Sequence, residues 1–207
     1  MLDEGEIAKV EAALADLPAE RAGVRLQGRP ELATLLGVDR PIGTVAASAL
    51  GTGCFPVRAV LFDKTEATNW ALGWHQDRTI VVRQRHDVHG FGPWTIKAGL
   101  QHVAPPAELL AGMVTLRVHL DPVPRDNAPL LIARGSHQFG MIPESDVDAL
   151  VARSEIQACL AERGDVWLYR TLVLHASAAS IRPVGRRVLQ VDYAVSPLPG
   201  GLEYLGV

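Results

Sequence analysis

The chain has 207 residues, 48% of them hydrophobic and 21% charged, with a formal net charge of −3. This length and apolar content suit one soluble domain with a sizeable core and exclude a disordered chain. The weak negative charge offers no basic field to a nucleic-acid backbone. The two cysteines, Cys54 and Cys159, sit in no C-x-x-C and make no disulfide framework, which points to a reduced, cytoplasmic setting.

The amino terminus reads Met1-Leu2-Asp3-Glu4-Gly5-Glu6, without the charged and then apolar pattern of a secretory signal. Ile7, Val10, Leu14 and Leu17 recur at helical spacing, so residues 3–17 are expected to be a helix capped by Asp3 and ended by Pro18. Short helices are expected over Pro30–Leu36, stopping at Gly37, and over Ile42–Leu50, stopping at Gly51. The most apolar stretch, Pro41–Phe62, is broken by Gly43, Gly51, Gly53, Pro56 and Arg58, and is no membrane span. From Cys54 onward β-branched and aromatic residues take over. Strands are expected over Phe55–Phe62, Trp70–Val82, Met113–Leu120, Leu130–Ala133, Val166–Tyr169, Leu172–His175 and Arg187–Val195, with Thr95–Val103 extended. A polar turn covers Lys64–Asn69, a loop covers Arg83–Pro93, and helices follow Pro105-Pro106 and span Pro143–Val151. Many short strands after a helical start predict a mainly β core, a sandwich or jelly roll, with the helices packed outside it.

Chemistry concentrates in Gly73-Trp74-His75-Gln76-Asp77-Arg78. Side chains two residues apart on a strand share a face, so His75 and Asp77 can reach one metal ion while Gln76 points away. Imidazole plus carboxylate is two-thirds of the facial triad of non-haem iron oxygenases. Alone, an H-x-D is weak, because a chain with seven histidines makes a chance occurrence easy. The strongest partner is His175, which follows the apolar Leu172-Val173-Leu174 and precedes Ala176-Ser177. Arg186-Arg187 then enter the apolar Val188-Leu189. An arginine directed into a barrel is costly unless it meets an anion, and a guanidinium gripping a carboxylate is the usual resolution.

These residues resemble the phytanoyl-CoA dioxygenase family of Fe(II)- and 2-oxoglutarate-dependent oxygenases, in particular its small bacterial members. The resemblance runs from about Val57 to Tyr193 and is carried by Trp74-His75-Gln76-Asp77-Arg78, Gly90-Phe91-Gly92-Pro93-Trp94, Lys97–Pro106, Leu116–Asp121, Asp126–Leu130, Gly135-Ser136-His137 and Leu174-His175-Ala176-Ser177. It implies a double-stranded β-helix, or jelly roll, flanked by mostly amino-terminal helices. In that reading 1–207 is one dioxygenase domain, with a helical flank over 1–52 and the jelly-roll core over 53–195. His75, Asp77 and His175 fall on the iron ligands. Arg186 falls on the arginine that binds the far carboxylate of 2-oxoglutarate, with Arg187 as the alternative if the strand register slips by one. Ser177 falls on a position that often touches the same carboxylate, and Arg117 sits where the sheet would floor that site, as either a site residue or half of a buried ion pair. Two turns depart from the family pattern: Asn127-Ala128-Pro129-Leu130 has alanine for the usual glycine, and Arg134-Gly135-Ser136-His137 has arginine for the usual proline. Ala128 lacks glycine's freedom at positive φ.

The resemblance implies Fe(II), 2-oxoglutarate and O2 as reactants, with succinate and CO2 released and a C–H bond of a small polar molecule hydroxylated. The carboxylate of Asp77 argues against halogenation, since related halogenases lack it. The loop Arg83–Trp94, with Arg83, Arg85, His86, Asp87 and His89, is expected to overlie the metal and to favour a small polar or anionic substrate over a long acyl chain. His86 and His89 read as solvated loop residues in preference to a second metal site, and His137 as structural. His102 reads equally as pocket lining or as a backbone partner, and His119 shares one strand face with Arg117, with Val118 on the other. Trp74 and Trp94 wall a pocket or pack the core; Asn69 and Lys64, just upstream of the H-x-D, could bind 2-oxoglutarate or substrate, with a turn residue and a surface lysine as the defaults. The rival readings are a catalytically silent jelly-roll binding module and a cupin-type metalloenzyme that does not use 2-oxoglutarate.

Overall fold

A five-stranded antiparallel sheet with strand order β1-β2-β12-β7-β10 organises the molecule. Its strands are β1 (Gly23–Leu26), β2 (Phe55–Lys64), β7 (Val114–His119), β10 (Val166–Arg170) and β12 (Arg186–Ala194). A four-stranded sheet faces it, in the order β3 (Leu72–His75), β11 (His175–Ser177), β8 (Leu130–Ala133) and β9 (Ile156–Cys159). A smaller sheet, β4 (Ile80–Val82), β6 (Leu100–Val103) and β5 (Trp94–Lys97), closes one end. The computed structural model describes residues 1–18, 21–181 and 185–207. This is the jelly roll that the resemblance implies, mostly β and with its helices mainly amino-terminal.

Helices α1 (Glu4–Leu14), α2 (Pro30–Leu35) and α3 (Pro41–Leu50) lie on the outer face of the large sheet. Asp3 starts α1 by accepting a 2.8 Å hydrogen bond from the Glu6 amide. Ile7, Val10, Leu14, Leu32, Leu36 and Ile42 pack there against Ala59 and Leu61 of β2, Leu116 and Val118 of β7, and Leu189, Val191 and Tyr193 of β12. The cross-strand register explains the division. It pairs Arg58 with Asp192, Val60 with Gln190, Phe62 with Val188 and Lys64 with Arg186, and it sets Gln190 beside Arg117. Strand periodicity of two therefore sends every other residue outward to the helices and its neighbours inward.

Several boundaries differ from the sequence reading. The amino-terminal flank is not wholly helical, because Gly23–Leu26 pairs with Ala59–Phe62 and extends the large sheet. Trp70–Val82 is two strands in different sheets. Between them the Gln76 amide is buried, donating to the carbonyls of Gly140 (2.8 Å) and Leu172 (2.7 Å) and accepting from the Ile142 amide (2.9 Å). Those three backbone contacts fix a bend where the chain leaves β3. Thr95–Val103 is a hairpin whose two-residue turn, Ala98-Gly99, has φ of 52° and 77°, as a hairpin with the strand's own twist requires. Residues 171–174 form a turn closed by Val173 N–H to the Arg170 carbonyl, so the strand begins only at His175. Lys64 ends β2 and belongs to no turn. The Pro143–Val151 segment starts as a 3-10 turn over Glu144–Asp146 before α5 (Val147–Ala152), and β9 has too mixed a pattern to be read in advance. The remaining helix, α4 (Ala107–Ala111), follows Pro105-Pro106.

Candidate active site

His75 and His175 are direct cross-strand partners on β3 and β11, with ring centroids 4.3 Å apart. The Nδ1 atom of each ring lies against the carbonyl two residues back, His75 to Gly73 at 2.8 Å and His175 to Val173 at 3.0 Å. A carbonyl only accepts, so Nδ1 carries the proton and Nε2 presents its lone pair. Asp77, just beyond β3, completes a group of three whose ligand atoms all lie within 4.8 Å of one another. Two imidazole nitrogens and a carboxylate oxygen at that spacing fit a divalent transition metal with open positions.

Two of the three members of the metal group are electrostatically prepared for it. Burial pushes the His175 pKa down to about 4, against the pull of Asp77, so the ring is neutral and ligand-ready at neutral pH. Burial works against the charge of Asp77, but Arg58, and then His175, His75 and Gln190, outweigh it and hold the carboxyl well below the usual range. Asp77 Oδ2 accepts from Arg58 Nη2 and from Gln190 Nε2, both at 3.1 Å. Its other oxygen is left for a metal. Arg58 is itself held by Asp192 at 2.6 Å, and Asp192 accepts from Thr115 at 2.9 Å. These residues, Arg58, Gln190, Asp192 and Thr115, are the ones sequence reasoning missed. Their signal was a polar or charged residue isolated between apolar neighbours on its strand: Arg58 on β2, Thr115 on β7, and Gln190 and Asp192 on β12.

Between the sheets lies a cavity of about 380 Å³ that includes His75, Asp77 and His175 in its lining. Lys64, Arg117 and Arg186 line it as well. Lys64 is 1% exposed and Arg186 2%, so neither is a surface group. The default of a surface lysine is overturned: Lys64 Nζ donates to the Ala178 carbonyl at 2.6 Å and to Ser177 Oγ at 3.2 Å, and lies 5.0 Å from the Trp70 ring. Arg117 donates to Gln190 Oε1 at 2.9 Å and stacks over Phe62 at 5.4 Å. Arg186 donates to the Ala128 carbonyl, which Ser177 Oγ also approaches at 3.2 Å. The Nε atoms of Arg117 and Arg186 are buried without a hydrogen-bond partner among the described residues.

None of the three cations has a carboxylate partner among the described ion pairs. Burial, then the charges of Arg186 and Arg117, push the Lys64 pKa down to about 8. Burial and the neighbouring Arg117 likewise lower that of Arg186, which nonetheless stays charged. Orphaned guanidinium nitrogens around mutually repelling cations fit an anionic ligand, and a dicarboxylate suits them well. His119 is also buried with both ring nitrogens unpartnered, and burial, followed by Arg117 and Arg186, lowers its pKa to about 3.

The structure does not bring every proposed site residue to the cavity. Arg187 points to the outer face, where it pairs with Asp121 at 2.7 Å and with Glu11 of α1 at 2.8 Å. The register thus separates the two adjacent arginines, and Arg187 is spent on anchoring a helix. No residue of Arg83–Trp94 is among those that line the cavity. Arg83 pairs with Glu203, and Arg85 pairs with Asp87 while stacking on Trp94 at 5.3 Å. The expectation that this loop overlies the metal is therefore corrected. His86 and His89 join no described metal-ligating group. Trp74 and Trp94 pack in hydrophobic clusters, and the tryptophan that lines the cavity is Trp70. Asn69 is structural, exchanging hydrogen bonds with the backbone of Ser180. His102 lines the cavity, with Nδ1 3.4 Å from Thr79 Oγ1.

A jelly roll that turns two histidines and one aspartate toward a common point is the frame of a non-haem iron oxygenase. The family comparison agrees with that class. The chain belongs to the family described as Phytanoyl-CoA dioxygenase (PhyH), whose model matches residues 38–188. Among solved structures, EctD from S. alaskensis with 2-oxoglutarate and 5-hydroxyectoine is 20% identical, with a TM-score of 0.67 over 100% of this chain and 73% of that one. The non-heme alpha ketoglutarate dependent epimerase SnoN from nogalamycin biosynthesis is 17% identical, with a TM-score of 0.63 over 97% and 82%. HygX from Streptomyces hygroscopicus with nickel and 2-oxoglutarate is 14% identical, with a TM-score of 0.59 over 93% and 79%. No curated protein matches the chain in sequence. Among the described residues no helix is long and apolar enough to cross a membrane.

Proposed function

We propose that the protein is an iron(II)- and 2-oxoglutarate-dependent dioxygenase that hydroxylates a small polar molecule, releasing succinate and CO2. The observation that carries this reading is the juxtaposition, in one cavity, of the His75–Asp77–His175 group with three buried cations that have no carboxylate partner among the described residues. Family membership supports it, as do the structural neighbours crystallised with 2-oxoglutarate.

Iron(II), held by His75, Asp77 and His175, would supply O2 activation coupled to decarboxylation of 2-oxoglutarate. The chain's residues do the rest. His75 and His175 offer Nε2 lone pairs, and Asp77 offers the oxygen that Arg58 and Gln190 leave free. Arg186 is the anchor for the far carboxylate of 2-oxoglutarate; Lys64, Arg117 and Ser177 lie beside it and complete the donor shell around that carboxylate. Trp70, Phe62, Leu72, Leu130 and Ala176 supply apolar wall that limits water near the reacting atoms. A cavity of 380 Å³ lies at the small end of pockets for small molecules, roughly 300–1,000 Å³. Metal and co-substrate must share it, which leaves room within the cavity for a small substrate. Two free, buried cysteines are compatible with a cytoplasmic setting.

The test is an anaerobic Fe(II) titration with and without 2-oxoglutarate, following the weak visible charge-transfer band of the chelate. Wild type is expected to develop the band, His175→Ala to lose it, and Arg186→Ala to require far more 2-oxoglutarate. Bound iron with no band in wild type would exclude 2-oxoglutarate chelation and favour a cupin-type metalloenzyme. No iron binding would favour a silent module.

A further inference from the structure

The cavity has a second cationic end that the co-substrate reading does not use. Arg25 on β1 and Lys97 on β5 both line it, and both are solvent-exposed. Arg25 faces inward because β1 pairs Arg25 with Val60 of β2, two residues along the strand from Arg58. Lys97 is the last residue of β5, immediately before the Ala98-Gly99 turn, on the hairpin that also pairs Thr95 with His102. No hydrogen bond or ion pair engages either side chain among the described residues, although the structure pairs most other arginines.

Between them lies His102, 1% exposed, lining the same cavity and with its Nε2 unpartnered among the described residues. Burial lowers its pKa to about 4, and Arg25, Lys97 and Arg58 add to that effect, so the ring is neutral and can donate one hydrogen bond. Among the described residues the only carboxylate in the lining is Asp77, which is engaged by Arg58 and Gln190. The inner cations face the co-substrate. Arg25, Lys97 and His102 therefore confront whatever else enters, in a cleft where apolar walls strengthen their field.

Resting on the functional reading above, we propose that Arg25 and Lys97, with His102, form an oxyanion-receiving mouth, and that the substrate is a small molecule carrying its own carboxylate, phosphate or sulfate group. The mouth holds that group away from the metal, so the opposite end of the molecule is the part offered for oxidation. The loop Arg83–Trp94 takes no part, since its arginines are already paired.

The experiment presents matched fragment sets to the anaerobic Fe(II)- and 2-oxoglutarate-loaded enzyme and reads binding by ligand-observed NMR. Each set holds one carbon skeleton as carboxylate, phosphate monoester, sulfate ester, primary amide, alcohol and amine. The visible chelate band is followed throughout. Wild type is expected to retain acidic members selectively, and whichever acidic arm binds best identifies the group. Arg25→Gln combined with Lys97→Gln is expected to weaken those fragments by about tenfold or more, as loss of charge-assisted bonds does. Lys97→Arg, which keeps the charge, is expected to retain them, and melting curves check that the variants fold. The proposal is overturned if neutral or basic members bind best, if no acidic member binds, or if the double variant binds acids as tightly as wild type. It is also overturned if the acidic members bind only by bleaching the chelate band, because they are then displacing 2-oxoglutarate at Arg186. Absence of the band in wild type before any fragment is added defeats the functional reading instead.

Discussion

The two faces of the large sheet are built from the same strands and do opposite work. On the outer face Leu61, Leu116, Val118, Leu189 and Val191 meet the helices in a dry contact. One residue along each strand, the inner face carries Arg58, Lys64, Thr115, Arg117, Arg186, Gln190 and Asp192. Arg186 and Arg187 show the contrast most plainly. They are adjacent in sequence, yet Arg187 closes a surface ion-pair network with Asp121 and Glu11, while Arg186 is buried beside two other cations. The outer face packs against the helices; the inner face carries Lys64, Arg117 and Arg186, buried cations with no carboxylate partner among the described residues.

The largest test of that contrast exchanges the two arginines' fates. Arg186→Ala is expected to weaken 2-oxoglutarate binding by about 2 kcal/mol or more, roughly 30-fold, as truncating a buried charge partner does. Its stability without ligand should be unchanged or higher, since a buried unpaired cation is removed. Arg187→Ala is expected to do the reverse, costing about 1 kcal/mol or less of stability because its network is partly exposed, with 2-oxoglutarate affinity unchanged. Anaerobic calorimetry and urea unfolding on both variants read the two quantities, and equal effects would erase the distinction between faces.

Arg58→Met addresses the inner face alone. It leaves Asp77 and Asp192 buried without their shared cation, and is expected to cost about 3 kcal/mol of stability in urea unfolding and to weaken metal binding. A variant as stable as wild type would mean that the network is not needed.

Lys64 adds a pH dependence. Its pKa of about 8 lies below the unfolded value of 10.5. Below pH 8 the ammonium is charged and faces the co-substrate; above it that charge is lost. Affinity for 2-oxoglutarate is therefore expected to fall as pH rises through 8, and Lys64→Met to flatten the profile. Between 8 and 10.5 the unfolded chain holds the proton that the folded ligand-free protein has released, so Lys64's contribution to ligand-free stability rises with pH across that window. A calorimetric pH series that slopes equally in wild type and Lys64→Met would remove Lys64 from the site.

The smallest effect concerns Ala128, whose φ of 49° is the left-handed conformation that glycine takes without strain. Its carbonyl receives Arg186 and Ser177. Ala128→Gly is expected to relieve strain worth about 1 kcal/mol, partly offset by the greater freedom of the unfolded glycine, so the melting temperature should rise by about 1–3 °C. A lower melting temperature would show that the strain is not felt.

How much of this was readable beforehand depends on the range of the cause. His75 and Asp77 lie two apart, His175 follows the apolar Leu172-Val173-Leu174, and the Arg186-Arg187 pair enters an apolar strand, so local pattern exposed them. Which arginine faces inward depends on the register of β12 against β2 and β7, set by residues far away in the chain. The same holds for Lys64, which looks like a turn residue until its pairing with Arg186 draws it under Trp70. Arg58, Gln190 and Asp192 acquire roles only through one another. The loop Arg83–Trp94 misled because composition shows charges and conceals their partners. Arg25 was hidden in a flank whose helical pattern masked a four-residue strand.

The most direct measurement is an anaerobic crystal structure with Fe(II) and 2-oxoglutarate. The expected result is metal held by His75, Asp77 and His175, with the far carboxylate of 2-oxoglutarate on Arg186 and Lys64 or Arg117 beside it. A metal bound elsewhere, or a dicarboxylate seated between Arg25 and Lys97 with Arg186 still on the Ala128 carbonyl, would contradict it.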